Sequence, residues 1–260
     1  MKALHTAATG MKAQERNVEV ISNNVANLRT TGYKRQRVDF QDLLYQNLRR
    51  MGTETSDAGT IVPTGVQIGS GVKVAATAHI MSQGSLEQTS NELDIAIRGE
   101  GFFQIELPDG TTAYTRDGSF ELDADGTLVT VDGYQVLSGI EIPEDGQDIT
   151  ISSDGTVQIV DPDGAVVNLG QIELARFVNK SGLEAVGDNL FLETEASGAP
   201  QVDNPGNDGF GDVQQYFLEM ANVDAVTEIA DLISAQRAYE MNSKVIQAAD
   251  EMYSTTSQLR

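Results

Sequence analysis

The 260-residue chain contains no cysteine, so a disulfide framework, a thiolate zinc or iron–sulfur site and a Cys nucleophile are all excluded. Tryptophan is also absent, aromatic residues make up 6%, and His5 and His79 are the two imidazoles. Neither histidine has a serine or acid partner at a motif spacing. Bases are scarce: 17 against 39 acids, a net charge of −22, which repels nucleic acid and anionic membrane. No run of about 18 apolar residues occurs, so membrane insertion is not expected. Met1 to Gly10 lacks the continuous apolar stretch of a secretory signal, which by itself reads as a soluble cytoplasmic protein.

What is present is unevenly spread. Residues 1–50 hold nine bases and four acids, whereas 101–170 hold fourteen acids and one base, Arg116. This polarity predicts a solvated middle and a beginning that rests against something else. The strongest periodicity runs through Leu4, Ala7, Met11, Gln14, Val18, Ile21, Val25 and Leu28. Alternating spacings of three and four predict a helix over 1–28, about 40 Å long, with a narrow apolar stripe. Thr30, Thr31 and Gly32 are the expected stop.

A second helix is predicted over the last forty residues, with Asn222 as N-cap and Asp224 and Glu228 at its positive end. One stripe reads Val226, Ile229, Ile233, then, after a slip in register, Ala238, Met241, Val245, Ala248, Met252 and Leu259. A second, with Leu232, Ala235, Tyr239 and Ile246, widens the face to suit several neighbours.

Between the helices, Asp-Gly dipeptides begin at 109, 117, 125, 132, 145, 154 and 163, separated by short β-rich runs. Asp-Gly accepts the positive φ of tight turns, so an antiparallel, hairpin-rich β domain is expected over 96–215. Residues 29–95 read as extended arms or loops, and 216–260 as a C-terminal strand and helix. The fold class is α+β, with terminal amphipathic helices forming a coiled-coil-like inner domain. Two long helices flanking a separate β domain cannot be buried by its core, and a lone pair is marginal. Other copies of the chain are the expected partners.

Asn23, Asn24 and Asn27 are odd in a helix, each costing about half a kcal/mol relative to Ala. They read either as turn formers at a fraying end or as amides bonding between packed subunits. Glu121 to Asp132 places acids at 1, 3, 5 and 12 and Gly at 6 of a calcium-loop pattern, but its surroundings read as strands. Gly99 to Phe103 lacks the Lys-Ser/Thr and following helix of a phosphate loop. No catalytic residue, metal set or cofactor is assigned.

Three ordered motifs carry a resemblance. Ala8-Thr-Gly-Met11 with Ser22-Asn-Asn-Val-Ala-Asn-Leu-Arg-Thr-Thr-Gly-Tyr33 resembles the N-terminal signature of the flagellar rod and hook axial protein family. Asp94-Ile-Ala-Ile-Arg-Gly-Glu-Gly-Phe-Phe103, Tyr114-Thr-Arg-Asp-Gly-Ser-Phe120 and Gly133-Tyr134 are similar to its central domain. Asn222-Val-Asp224 and Ala235-Gln-Arg-Ala-Tyr-Glu-Met-Asn242 are similar to its C-terminal helix. The stretch from Tyr45 to Val72 is most like the distal-rod branch, where an insertion, here about 46–63, stiffens the rod.

The resemblance implies a non-enzymatic structural subunit of the basal-body rod, which crosses the periplasm. It implies helical self-assembly into a drive shaft, contacts with proximal-rod, hook and surrounding ring (bushing) proteins, and type III export without a cleaved signal. Expected assembly residues are Leu4, Met11, Val18, Ile21, Val25, Leu28, Asn23, Asn24, Asn27, Ile229, Ile233, Met241, Val245 and Met252. Phe40 with Leu44 fits either a short export-gate element or a core pair one helical turn apart. A proximal-rod or hook-type paralogue, a glycan-binding β module and, more weakly, a hydrolase are the alternatives.

Overall fold

The computed structural model describes residues 2–49, 51, 64–143, 147–161 and 165–258. It divides into two compact units, one of Met1–Val25, Gln36–Ala78 and Asp224–Arg260, the other of Ala26–Arg35 and His79–Val223. With two long helices and a many-stranded antiparallel β unit, the fold is α+β.

The β unit is built on a nine-stranded sheet. Strand Phe102–Glu106 pairs along one edge with Thr112–Thr115 and along the other, end to end, with Gln135–Val136 and Leu174–Arg176. A three-stranded sheet, Gln147–Ile151, Thr156–Val160 and Val166–Gln171, and a ribbon of Ile95–Arg98 with Asp212–Gln215 complete the main core. Side chains alternate along a strand, so Phe103 and Ile105 enter the main cluster while Phe102 packs into a second with Tyr114, Phe177 and Phe191. Edge-on ring contacts bind both: Phe103 to Phe120 at 5.1 Å and Tyr114 to Phe177 at 4.7 Å between centroids.

Turn chemistry explains the pattern. Gly110, Gly126, Gly133 and Gly155 all have φ between 76° and 85°, and each closes a hairpin after its Asp. Asp117-Gly118 does something else: a Cβ on Gly118 would sit 1.6 Å from the Ile95 carbonyl oxygen, so glycine permits close strand approach. The dipeptides at 145 and 163 lie outside the described residues. Residues 121–132 fold as a hairpin, Leu128 opposite Leu122, without the flanking helices of a calcium loop.

The helical unit holds α1 (Lys2–Ala26), α2 (Ala225–Gln258), and two ribbons, Gln36–Asp42 with Val72–His79 and Gln46–Arg49 with Val66–Ile68. The segment expected as arms or loops thus carries strands. Of the insertion at about 46–63, residues 50 and 52–63 lie outside the described residues.

Both helix boundaries differ from the sequence expectation. Helix α1 ends at Ala26, leaving Leu28 beyond it, in a turn where Thr30 bonds Asn27 through both backbone and side chain. Gly32 does not cap the helix. With φ +67° it lies in the β unit, where a Cβ would meet the Asp117 backbone nitrogen at 2.5 Å. The cap of α2 is Asp224, whose carboxylate accepts from the Val226 N–H (3.1 Å) and the Thr227 hydroxyl (2.7 Å). Those bonds, the hydroxyl's first, hold its carboxyl below the usual range. Asn222, expected there, instead accepts from Arg35 N–H and donates to the Ile80 carbonyl within the β unit.

Candidate assembly surfaces

Helices α1 and α2 run antiparallel. Asn24, near the end of α1, donates to Glu228 Oε2 in the first turn of α2 (3.1 Å), while Gly10 lies against Asn242, 2.9 Å from where a glycine-to-alanine methyl would stand. The buried positions of the two helices include small residues. Ala7, Ala13, Ala235 and Ala249 are 5% exposed or less. On α2 the covered positions are Ala225, Glu228, Leu232, Ala235, Ala238, Asn242, Ser243, Ile246 and Ala249, mostly at spacings of three and four that keep them to one side of the helix.

The two apolar stripes of α2 therefore serve different ends. Of the second stripe, Leu232, Ala235 and Ile246 turn inward, whereas Tyr239 is 44% exposed. The other remains open: Val226 is 77% exposed, Ile229 49%, Ile233 46%, Met241 61%, Val245 47% and Met252 64%. On α1 the order is reversed. Ile21 is buried, and Leu4, Met11, Val18, Val25 and, past its end, Leu28 are half-buried.

The asparagines separate as well. Asn24 is 1% exposed, and its amide brackets Gln36, donating to the carbonyl and accepting from the N–H at 2.9 Å each. That amide is engaged within the chain. Asn27 accepts from Thr30, as a turn former does, and Asn23 is exposed. Phe40 and Leu44 are not a core pair on a helix: Phe40 lies in a strand, Leu44 follows it, and they are 40% and 89% exposed.

One buried cluster escaped sequence reasoning. In the β unit, Lys34, Arg116 and Glu219 have side chains 1%, 3% and 0% exposed. Glu219 takes Lys34 on Oε1 (2.5 Å) and Arg116 on Oε2 (3.1 Å), and Oε1 also accepts the Gly84 N–H. Arg116 further donates to the Gly99 carbonyl (2.6 Å) and lies 5.3 Å from the Phe102 ring centroid. Burial pulls both cations below their usual pKa, against the opposing pull of Glu219. Two cations share one carboxylate, so the set pins residues 31–35, 82–84 and 97–99 around Glu219. The one signal was Arg116, the lone base among fourteen acids.

Among the described residues no group of His, Cys, Asp and Glu could hold a metal ion, and no helix is long and apolar enough to cross a membrane. The surfaces are suited to packing, and the buried ions to rigidity.

Comparison with known proteins gives the same three regions. Residues 4–34 match the family described as Flagella basal body rod protein, 96–159 the Flagellar hook protein FlgE/F/G D1 domain, and 214–259 the Flagellar basal body rod FlgEFG protein C-terminal region. The chain is 57% identical to the flagellar basal-body rod protein FlgG of Caulobacter vibrioides over 100% of both chains. It is 55% identical to that of Agrobacterium fabrum over 99% of this chain and 98% of the relative. A flagellar hook-basal body complex protein FlhP of Bacillus subtilis is more distant, at 29% over 100% of both.

Proposed function

The chain belongs to the flagellar basal-body rod protein FlgG family, and we propose that it polymerises helically, through the exposed face of α2, into the distal rod that carries torque from motor to hook. It is a structural subunit, not an enzyme. The observation that carries the reading is the run of Val226, Ile229, Ile233, Met241, Val245 and Met252, open to solvent on a helix whose other stripe is already used. Burying such a run against other copies removes apolar area worth about 1.5–3 kcal/mol per large side chain.

In this reading the helix pair is the coiled-coil-like inner domain and residues 96–215 form the outer body. Asn23 and Asn27, with Leu4, Met11, Val18, Val25 and Leu28, contribute at the margins of the helix contacts. Proximal-rod proteins, the hook protein and the ring proteins are its neighbours, and the type III apparatus exports it, with Phe40 and Leu44 available as the gate element because both are exposed. The hairpin of Gln46–Arg49 with Val66–Ile68 is the base of the segment that stiffens the rod.

The test is Ile233→Asp with Met241→Asp, expressed as the sole copy. Basal bodies should lack the distal rod while the secreted chain keeps its β-domain circular dichroism. Normal rods would overturn the assignment of this face.

A further inference from the structure

The chain passes between its two units four times, at Val25–Ala26, Arg35–Gln36, Ala78–His79 and Val223–Asp224. Passages between units are ordinarily where hinges form, because a few residues at element ends absorb the change in φ and ψ. Here two asparagines guard them. Both belong to Asn-Val dipeptides at which a passage begins, Asn24-Val25 and Asn222-Val223.

Within the helical unit, Asn24 holds Gln36, just past the second passage, by donating to its carbonyl and accepting from its N–H (2.9 Å each). Within the β unit, Asn222 accepts from the Arg35 N–H (2.7 Å). It also donates to the Ile80 carbonyl (2.7 Å) and to the Ser82 carbonyl and hydroxyl (3.0 Å each). The Ile80 N–H in turn donates to the Arg35 carbonyl (2.9 Å). Asn24 thus ties the first passage to the second, and Asn222 ties the fourth to the second and third. Arg35 and Gln36 are consecutive, and the N–H of one is accepted by the β unit's asparagine, that of the other by the helical unit's. An amide both donates and accepts, so one side chain fixes a backbone N–H and a carbonyl together.

We propose that Asn24 and Asn222 are a matched pair of positioning residues that lock the joint between the helical and β units, so that torque crosses it as through a rigid coupling. The torque part rests on the polymer reading above, and the lock itself does not.

The absence of cysteine lets the joint be read in the full-length monomer. Nitroxide labels on Lys12→Cys and Glu121→Cys, exposed positions of the helical and β units, report the distance between the units by double electron–electron resonance. One narrow distribution is expected. Asn24→Ala with Asn222→Ala should lose the narrow peak to a broad one, while amides of 102–106 keep their protection from hydrogen exchange. A broad distribution with both asparagines present, or a narrow one without them, overturns the lock.

Asn222→Asp decides the point even where the double variant does not fold. It keeps an acceptor for the Arg35 N–H but has no N–H to give Ile80 and Ser82, so it should broaden the distribution. An unchanged distribution would show that those bonds do not hold the joint. In assembled rods the same loosening should shorten the persistence length measured by electron microscopy. Rods of unchanged stiffness, from a chain whose distribution had broadened, would take the joint out of the torque path. If Ile233→Asp with Met241→Asp leaves rods intact, the polymer face falls and the monomer distances still decide the lock.

Discussion

Strand Phe102–Glu106, five residues long, buries Phe102, Phe103 and Ile105 to 1% exposure or less, while α2, at 34 residues, buries Ala235 and Ala249 and leaves eight large apolar or aromatic side chains exposed among the described residues. At about 1.5–3 kcal/mol for each large side chain and 0.8 for a methyl, the short strand gains more from the chain's own core than the alanines of the long helix do. The β unit carries the reason for its fold within itself. The helical unit has half a reason: small residues bring α1 and α2 close enough to pair, and the opposite stripe is left for neighbours.

The sharpest way to break this contrast is to damage the β unit where it is most self-contained. Glu219→Ala strands Lys34 and Arg116 as two buried cations without a counter-charge. Urea unfolding of the monomer should show a loss of about 3–5 kcal/mol, the range for breaking a buried pair. Lys34→Met should be milder, because a balanced Arg116–Glu219 pair survives. A Lys34→Met loss equal to that of Glu219→Ala would show that the cations are not sharing one carboxylate.

Truncation sets the two units side by side. Phe103→Ala should destabilise the monomer by about 3–5 kcal/mol, whereas Met241→Ala should leave monomer unfolding unchanged and weaken assembly alone. Thermal unfolding and sedimentation of the same preparations separate the effects. The seam between the helices should lie in between: Asn24→Ala removes the bonds to Gln36 and Glu228 and costs about 1–3 kcal/mol, seen as faster proteolysis within α2 while the β unit stays resistant.

Much of this contrast was legible in the sequence, and the parts that were not have physical causes. Hairpins at 109, 125, 132 and 154 could be read because an Asp-Gly turn is decided by its own backbone. Both stripes of α2 could be read, but not which one faces inward. Leu232, Ala235 and Ile246 differ little in apolarity from Ile229, Ile233 and Met241, and the choice depends on Gly10 and Ala13, more than two hundred residues away. Distance also hid the ionic cluster, since Lys34 and Glu219 are 185 residues apart and Arg116 and Glu219 are 103. Asn222 failed as a cap for a local reason: Asp224 stands two residues nearer the helix and offers the same oxygen geometry with a full charge.

The smallest expected effect concerns pH and belongs to the β unit. Burial holds the His79 imidazole below its ordinary pKa of 6.5, only partly offset by its contact with the Lys34 carbonyl. The unfolded chain therefore binds a proton that the folded one resists, so stability is lost as pH falls below 6.5 and recovers as pH rises. His79→Gln should flatten that part of the profile for monomer unfolding. A profile unchanged by the substitution would remove His79 from the account.

Hydrogen exchange of the full chain, as monomer and as polymer, tests the division of labour between the two units most directly. The account requires amides of 95–105 to be protected equally in both states, and those of 225–258 to exchange readily in the monomer and become protected on assembly. Protection of 225–258 in the monomer to the level of the β core, unchanged by polymerisation, would contradict it.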